Sequence, residues 1–293
     1  MTKPLIGKLA IFGVGLIGGS FALALREAGA VGEIAGVGRS AENLRAALDL
    51  GVIDRIAADA ADAVSHADLV LLAMPVGQMG PVMRQIAPHL TAGSAVTDAG
   101  STKQDVVALA REHLGNHLAC FVPGHPIAGA ENSGVTAARA ELFRDRNTVL
   151  TPLLESNPVA VELTASAWRA CGAQVAQMSA AEHDAIFAAV SHLPHLLAFA
   201  LVDDIASKAN AAELFRYAAS GFRDFTRIAA SSPEMWRDIC LANRDALLNE
   251  LDAYQGQLAR LREMLDKSDG AGLERVFQQA RQARRQWAAE RNL

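Results

Sequence analysis

The stretch GHPIAGAE places His125 between two residues that set the backbone conformation, Gly124 and Pro126. A neutral imidazole, whose usual pKa is about 6.5, is suited to accept a proton from a substrate near neutral pH. A restricted loop would keep one ring nitrogen aimed at that proton, and such positioning lowers a reaction barrier. Ser101, in TDAGSTK, has a hydroxyl that could bond the same substrate atom or orient the substrate. We predict that His125 and Ser101 are catalytic; the alternative for His125 is a structural histidine in a loop.

A second polar cluster, VSHLPHLLAF, interrupts an apolar helical pattern with Ser191, His192 and His195. Contact with a substrate and burial within a proline-kinked helix both agree with this pattern. A zinc site built from His125, His192 and His195 is a further alternative. No carboxylate or cysteine follows at the spacing that zinc ligands usually have, so we predict no metal site.

The segment GVGLIG lies between a predicted strand and a predicted helix, where a dinucleotide-binding fold turns around a pyrophosphate. One glycine permits the tight turn, the next lets the phosphates approach the backbone, and the last lets the helix pack on the strand. N–H groups at the start of the helix would then bind the phosphates. A purely structural glycine turn is the alternative. The predicted cofactor-binding residues of this segment are Gly13, Gly15, Leu16, Ile17 and Gly18.

The second predicted strand ends in GVGRS, where a fold that prefers NAD usually has an acidic residue for the ribose 2′-hydroxyl. Arg39 and Ser40 occupy that place. Because an arginine binds a 2′-phosphate that a carboxylate would repel, we predict NADP in preference to NAD. Met74 and Pro75 end the apolar run DLVLLAMP, and we expect both to line the cofactor cleft.

The elements around these motifs predict an α/β Rossmann-type, doubly wound parallel sheet followed by an all-α helical domain. Helix-periodic segments alternate with apolar runs, as in βαβ units. From residue 180 the pattern becomes Ala/Leu-rich and helical, and part of it is apolar nearly all round, which suits burial, including burial against a second subunit. We expect domains at 1–179 and 180–293. The predicted strands of the first domain are 8–13, 33–38, 68–75, 94–100, 120–124 and 147–153, and a helix–strand pair over 159–179 completes it.

Composition narrows the classes of partner. The chain has 293 residues and a net charge of −5, so no overall basic field favours nucleic acid. Its three cysteines, Cys120, Cys171 and Cys240, stand far apart, as is usual in a reducing cytoplasm. We see no signal peptide and no unbroken apolar run of about 18 residues, which predicts a cytoplasmic protein without a membrane span.

Five motifs in order, GLIGGS, TDAGSTK, GHPIAGAE, SHLPH and GFRDFTRIAASSPEMW, resemble the prephenate/arogenate dehydrogenase family of tyrosine biosynthesis over nearly the whole chain. The resemblance implies oxidative decarboxylation of prephenate or arogenate with hydride transfer to NAD(P)+, in a homodimer formed by the helical domain. Ala130 stands where some relatives have a hydroxyl residue, and its methyl group cannot make a hydrogen bond to the substrate. The same resemblance implies a carboxylate-binding Arg227, substrate contacts by His195 and Ser191, a gating acid at Glu131, and a pocket wall near Ser231 and Trp236.

Two other functions remain open at this point. β-Hydroxyacid and imine dehydrogenases share the two-domain architecture, but they usually place a lysine on the first long helix of the second domain. Here that helix offers His192 and His195, and the nearest lysine is Lys208. An NADP-sensing regulatory protein would need neither His125 nor Arg227. The sequence does not decide between prephenate and arogenate.

Overall fold

The structure is a computed structural model and describes residues 3–130 and 132–290. The chain groups into two compact units that divide between Arg244 and Asp245. The first unit contains both β-sheets and the helices as far as residue 242, and the second contains the last two helices. The domain boundary predicted between residues 179 and 180 stays a prediction.

Within the described residues, a parallel six-stranded sheet forms the centre of the first unit. Its strands are β1 (Ile6–Phe12), β2 (Val31–Val37), β3 (Arg55–Ile56), β4 (Leu69–Leu72), β5 (Ala95–Asp98) and β6 (Phe121–Val122). They lie in the order β3-β2-β1-β4-β5-β6, and each neighbouring pair is parallel. The order reverses between β1 and β4, and ligands of such sheets bind at the carboxyl ends of the strands beside that reversal.

Helices cover both faces of this sheet, so the doubly wound fold predicted from the sequence is confirmed. One buried core contains Phe21, Phe143 and Trp168, and the core on the opposite face contains Met83 and Phe121. Strands buried on both faces are apolar throughout, as β4 is with its sequence LVLL. The connecting helices are α1 (Leu16–Glu27), α2 (Ala41–Asp49), α3 (Ala60–Val64), α4 (Met79–Ile86) and α5 (Gln104–His113).

A second, smaller sheet follows, and it holds the predicted proton acceptor. Its strands are β7 (Gly124–Pro126), β8 (Asn147–Leu150) and β9 (Gln174–Gln177), with α6 (Pro158–Ala170) between the last two. β7 is antiparallel to β8, β8 is parallel to β9, and His125 lies opposite Val149. The expectation that His125 lies in a loop was therefore wrong. The strand escaped prediction because a three-residue segment that contains Gly and Pro lacks an apolar strand pattern.

A helical segment completes the first unit. Ser179 caps its first helix by accepting a hydrogen bond from the N–H of Glu182, and Pro194 lies in the first turn of the next helix. A π-helical turn, Ala188–His192, joins these two helices. The elements are α7 (Ala180–Phe187), α8 (Leu193–Ala206), α9 (Ala211–Arg216), α10 (Ser220–Thr226) and α11 (Pro233–Ala242).

Residues Ala180–Ala206 form one continuous apolar helix. Its mean hydropathy reaches 1.9, and 28% of the most apolar window is buried. By length and composition this helix could cross a membrane, and the core helix of a soluble protein meets the same test. The expectation that it is buried on every side is not met within one chain.

The second unit is helical throughout its described part. It consists of α12 (Arg244–Asp266), which begins at the division, and α13 (Gly270–Ala289). Asp269 caps α13 by accepting a hydrogen bond from the N–H of Gly272. Described residues from 180 onwards form no strand, as the sequence predicts.

Candidate active site

The glycine turn after β1 has the shape that a bound pyrophosphate requires. Gly13 has a φ of +95°, and a Cβ there would lie 2.5 Å from the carbonyl oxygen of Ala73. A Cβ at Gly18 would lie 2.3 Å from the carbonyl oxygen of Gly13, whereas a Cβ at Gly15 would meet no atom within 4 Å. Gly15 also precedes α1 without any side-chain cap. Because the first turn of a helix leaves its N–H groups without intrahelical partners, this open space fits the phosphates of a dinucleotide.

The other residues predicted at the cofactor lie at the carboxyl ends of β2 and β4. Arg39 is exposed shortly after β2. The Ser40 hydroxyl oxygen accepts a hydrogen bond at the start of α2 and so caps that helix. Met74 lies beside Gly13, since its backbone nitrogen is 3.0 Å from where a Gly13 Cβ would be. Pro75, the next residue, is exposed.

A buried ion pair fixes the end of β5. Asp98, the last residue of that strand, pairs through Oδ2 with Nζ of Lys103, and both side chains are fully buried. Asp98 also accepts hydrogen bonds from the N–H groups of Gly100 at 2.7 Å and Gly124 at 3.1 Å. A Cβ at Gly124 would lie 2.9 Å from the carbonyl oxygen of Asp98. The pair therefore holds the first residue of β7, and with it His125, against the end of β5.

His125 begins a row of three hydrogen-bonded side chains. Its Nδ1 lies 2.8 Å from Nε2 of His183, and Nδ1 of His183 lies 2.8 Å from Oδ1 of Asp184. The carboxylate of Asp184 also accepts hydrogen bonds from the N–H groups of Lys103 and Gln104, each at 2.8 Å. His183 and Asp184 are buried, and His125 is half-buried. The row connects β7, α7 and the start of α5.

Burial keeps these imidazoles neutral near pH 7. Desolvation, followed by the neighbouring His183, Lys103 and His192, holds the pKa of His125 well below its usual value. Desolvation likewise lowers the pKa of His183, although the hydrogen bond to Asp184 partly opposes it. For Asp184, desolvation raises the pKa, but the hydrogen bonds from His183 and the two backbone N–H groups outweigh it and the net shift is downward. A neutral His125 retains a ring nitrogen that can accept a proton.

Asn243 links this row to a second histidine. Its side-chain Nδ2 donates to the carbonyl oxygen of Asp184 at 2.8 Å and lies 3.0 Å from Nδ1 of His192. His192 is buried, and desolvation lowers its pKa to about 4, while the nearby backbone of Ser101 opposes the shift. Ser101 itself is half-buried shortly after the end of β5. The structure thus brings Ser101, His192 and the His125 row into one neighbourhood.

A second cluster surrounds His195. Its Nδ1 donates to the carbonyl oxygen of Ser191 at 2.8 Å. Its ring stacks on Trp236 with 3.6 Å between centroids and 18° between planes, and His192 lies 6.1 Å from the same indole. Desolvation lowers the pKa of His195, and the positive charge of Arg227 lowers it further. Arg227 therefore lies close to His195, at the exposed start of the turn Arg227–Ala230.

In the described part of the chain, the side chain of Ser231 lacks such a connection. Ser231 is half-buried after that turn, and its N–H donates to the carbonyl oxygen of Ile228. Within the described residues, no hydrogen bond joins its side chain to the cluster around His195. Glu131 lies outside the described residues, so its predicted gating role stays a prediction.

Four buried polar residues were not singled out from the sequence. His183 and Asp184 stand in the first turns of α7, where acidic residues are common because they complement the helix dipole. Lys103 follows Ser101 in TDAGSTK, but lysines are seldom fully buried. The available signal was the dipeptide His183-Asp184, which stands nine residues before His192 on the same apolar helical segment. The fourth residue, Asn243, carried no signal of its own.

A zinc site at these histidines has no geometric support. Over residues 3–130 and 132–290, no group of three or more His, Cys, Asp or Glu side chains is arranged to hold a metal ion. Nδ1 of His125 is hydrogen-bonded to His183, and Nδ1 of His195 is hydrogen-bonded to the carbonyl oxygen of Ser191.

Two family models match the chain. Residues 21–177 match the model described as prephenate dehydrogenase, nucleotide-binding domain, and residues 179–279 match the model described as prephenate dehydrogenase, dimerization domain. Together the matches cover most of the chain.

Curated relatives and a solved structure agree with these matches. The cyclohexadienyl dehydrogenase of Zymomonas mobilis is 39% identical over 94% of both chains. The prephenate dehydrogenase of Bacillus subtilis is 39% identical over 94% of this chain and 75% of its own. The prephenate dehydrogenase of Aquifex aeolicus, solved in complex with hydroxyphenyl propionate and NAD+, has a TM-score of 0.90 and 35% identity over 98% of this chain and 99% of its own.

Proposed function

The chain belongs to the prephenate dehydrogenase family, and we propose that it catalyses the oxidative decarboxylation of prephenate, arogenate or both with NAD(P)+ as hydride acceptor. The products would be 4-hydroxyphenylpyruvate from prephenate and tyrosine from arogenate. One observation carries the proposal beyond family membership. Asn243 and Asp184 connect His125, in β7 beside the end of β5, with His192 and the His195 cluster of the helical segment. A single substrate could therefore contact both elements.

His125 is the proposed proton acceptor. Prephenate carries a hydroxyl and a hydrogen on ring C4, and a carboxylate on C1. Bound NAD(P)+ supplies the site that accepts the hydride from C4. As the hydride leaves, the hydroxyl proton passes to His125 and C4 becomes a carbonyl carbon. The C1–carboxylate bond then breaks, CO₂ departs, and its electron pair makes the ring aromatic, so that the oxygen on C4 takes its proton back from His125.

Positive and polar side chains of the helical segment are the proposed binding groups for the rest of the substrate. Arg227 is suited to a carboxylate, because a guanidinium offers two parallel N–H donors to its two oxygens. His195 and Ser191 are proposed to contact the substrate side chain, and Trp236 supports the His195 ring by stacking on it. Ser101 is proposed to bond the substrate hydroxyl or to orient the ring. Ser231 and Glu131 keep the roles that the family resemblance implies.

The proposed cofactor preference is NADP over NAD. Support comes from the end of β2, where Arg39 is exposed and no carboxylate stands in GVGRS. Gly15 would let the pyrophosphate reach the N–H groups of Leu16 and Ile17, while Gly13 forms the turn and Gly18 lets α1 pack against it. Met74 and Pro75 would line the cleft beside it.

A cytoplasmic homodimer formed through the helical segment is the proposed assembly. The apolar helix Ala180–Ala206 is mostly uncovered in the single chain, and a second copy would bury it. The matching family model of this region is described as a dimerization domain. The cysteines Cys120, Cys171 and Cys240 are free, which agrees with a reducing compartment.

Steady-state kinetics of the purified full chain with prephenate and arogenate, each with NAD+ and NADP+, test this proposal. We expect NAD(P)H and CO₂ to appear in equal amounts with at least one substrate. A β-hydroxyacid or imine dehydrogenase would instead turn over β-hydroxyacids or imines and leave prephenate and arogenate unchanged. A cofactor-sensing regulator would bind the nucleotide without turnover, and either result would overturn the proposed activity.

A further inference from the structure

The row His125–His183–Asp184 fixes where its protons lie. A carboxylate only accepts hydrogen bonds, and Asp184 already accepts two from backbone N–H groups. Nδ1 of His183, which lies 2.8 Å from Oδ1 of Asp184, must therefore carry a proton. A neutral His183 then has a lone pair on Nε2. Nδ1 of His125, which lies 2.8 Å from that lone pair, must donate to it.

We infer that His183 and Asp184 are positioning residues that hold His125 in the tautomer with the proton on Nδ1 and the lone pair on Nε2. This inference deepens the proposed function and rests on it, since it supplies the acceptor that the substrate hydroxyl needs. In the other tautomer, His125 would present an N–H to that hydroxyl and could not take its proton. The tautomer of a histidine is set by the hydrogen bond that its other nitrogen makes.

The anchoring of Asp184 explains why the row is unambiguous. Two backbone N–H donors at the start of α5 and the burial of the carboxylate leave it one orientation. The rings of His125 and His183 also pack against Phe187, with centroids 4.9 Å and 4.5 Å away. Both the direction of the hydrogen bonds and the planes of the rings are therefore fixed by contacts outside the row.

The row also suits the protonated state that forms during the reaction. When Nε2 of His125 takes the substrate proton, Nδ1 keeps its own proton and continues to donate to His183. No proton needs to leave the row, and the negative charge of Asp184 lies behind the new positive charge. A related arrangement, in which a buried aspartate sets the tautomer of a catalytic histidine, loses about 10⁴-fold in turnover when the aspartate becomes an amide.

Two substitutions of His183 test the inference. Phe in H183F fills the space beside Phe187 but accepts no hydrogen bond, whereas the amide oxygen of Gln in H183Q can accept the proton of His125 Nδ1. We expect H183F to lose at least about 10-fold in kcat with little change in the KM of substrate or cofactor, and H183Q to recover most of that loss. H113F is the matched control, because His113 ends α5 outside the row, and it should keep the wild-type kcat. Wild-type kcat in H183F, or no recovery in a folded H183Q, would overturn the inference.

A spectroscopic measurement decides the matter independently of turnover. In ¹⁵N NMR of the full chain labelled at histidine, with the His125 signals assigned by their loss in H125N, we expect a protonated Nδ1 and an unprotonated Nε2. H183F should reverse or mix the two. A wild-type His125 protonated on Nε2 would overturn the inference even if H183F fails to fold. A wild-type chain with the expected tautomer but no activity on either cyclohexadiene would instead refute the proposed function and leave the tautomer assignment standing.

Discussion

Nδ1 of His125 lies 2.8 Å from Nε2 of His183, and this contact joins the short strand β7 to the helix α7. The candidate base is thus held from two sides, by β-sheet pairing and by a buried side chain of the helical segment. Its backbone is held as well, through Gly124 and Asp98. The position of the His125 ring therefore depends on both β7 and α7. Substitutions of the residues that hold it from either element are expected to change turnover.

Arg227 and Arg223 form a matched pair for testing substrate binding. Both are exposed, but only Arg227 lies close enough to His195 to lower its pKa, while Arg223 pairs with Asp224. We expect R227A to raise the substrate KM at least about 10-fold, because a carboxylate loses a charge-assisted bidentate partner. R223A should saturate like the wild type. Equal KM values for R227A and the wild type would exclude the proposed carboxylate contact.

Gly15 and Gly18 separate cofactor binding from folding. A methyl group at Gly15 would enter open space where the pyrophosphate is proposed to lie, so G15A should weaken cofactor binding at least about 10-fold at unchanged unfolding temperature. A methyl group at Gly18 would overlap the Gly13 carbonyl, so G18A should lose about 1–3 kcal/mol of stability. Fluorescence titration and thermal unfolding measure the two effects. Normal affinity in G15A would place the phosphates elsewhere.

Arg39 tests the cofactor preference. We expect the wild type to have a higher kcat/KM with NADP+ than with NAD+, and R39D to reverse the ratio, because a carboxylate bonds a ribose 2′-hydroxyl and repels a 2′-phosphate. R45A, which removes an arginine within α2, serves as the control. A ratio that does not respond to R39D would show that the 2′ position is recognised by other residues.

The buried histidines make stability dependent on pH. In the folded chain His125, His183 and His192 have lowered pKa values, so the unfolded state binds more protons as the pH falls below 6.5, and for His192 this range extends to about pH 4. Stability is therefore full above pH 6.5 and falls as the pH decreases through that range. For His192, a pKa of about 4 instead of 6.5 corresponds to a loss of about 3 kcal/mol of unfolding free energy once the pH falls below both values.

Urea unfolding at pH 7 and at pH 4.5 measures this effect. The difference in unfolding free energy between the two pH values should shrink in H192F, because that variant has no imidazole to protonate at this position. A difference in H192F as large as that of the wild type would contradict the assigned burial effect.

Local patterns were sufficient to predict the Rossmann half of the fold. The sequence alone indicates the strands β1, β2, β4 and β5 and the glycine turn at Gly13. Each of them depends on residues that are neighbours in the sequence. The partners of His125 could not be predicted, because they are distant from it in the sequence. The contact of His125 with His183 spans 58 residues, and β7 forms only because β8 pairs with it. Lys103 lies fully buried, as lysines seldom do, because Asp98 neutralises its charge.

The role of His125 is tested most directly by the pH dependence of kcat for the wild type and H125N with prephenate or arogenate. Because desolvation lowers the pKa of His125, the neutral, proton-accepting form persists through neutral pH, and wild-type kcat should stay level down to pH 6.5 and decline only below it. H125N should lose at least about 10²-fold in kcat, with little change in KM. Turnover by H125N at the wild-type rate would contradict the role of His125 as the acceptor of the substrate proton.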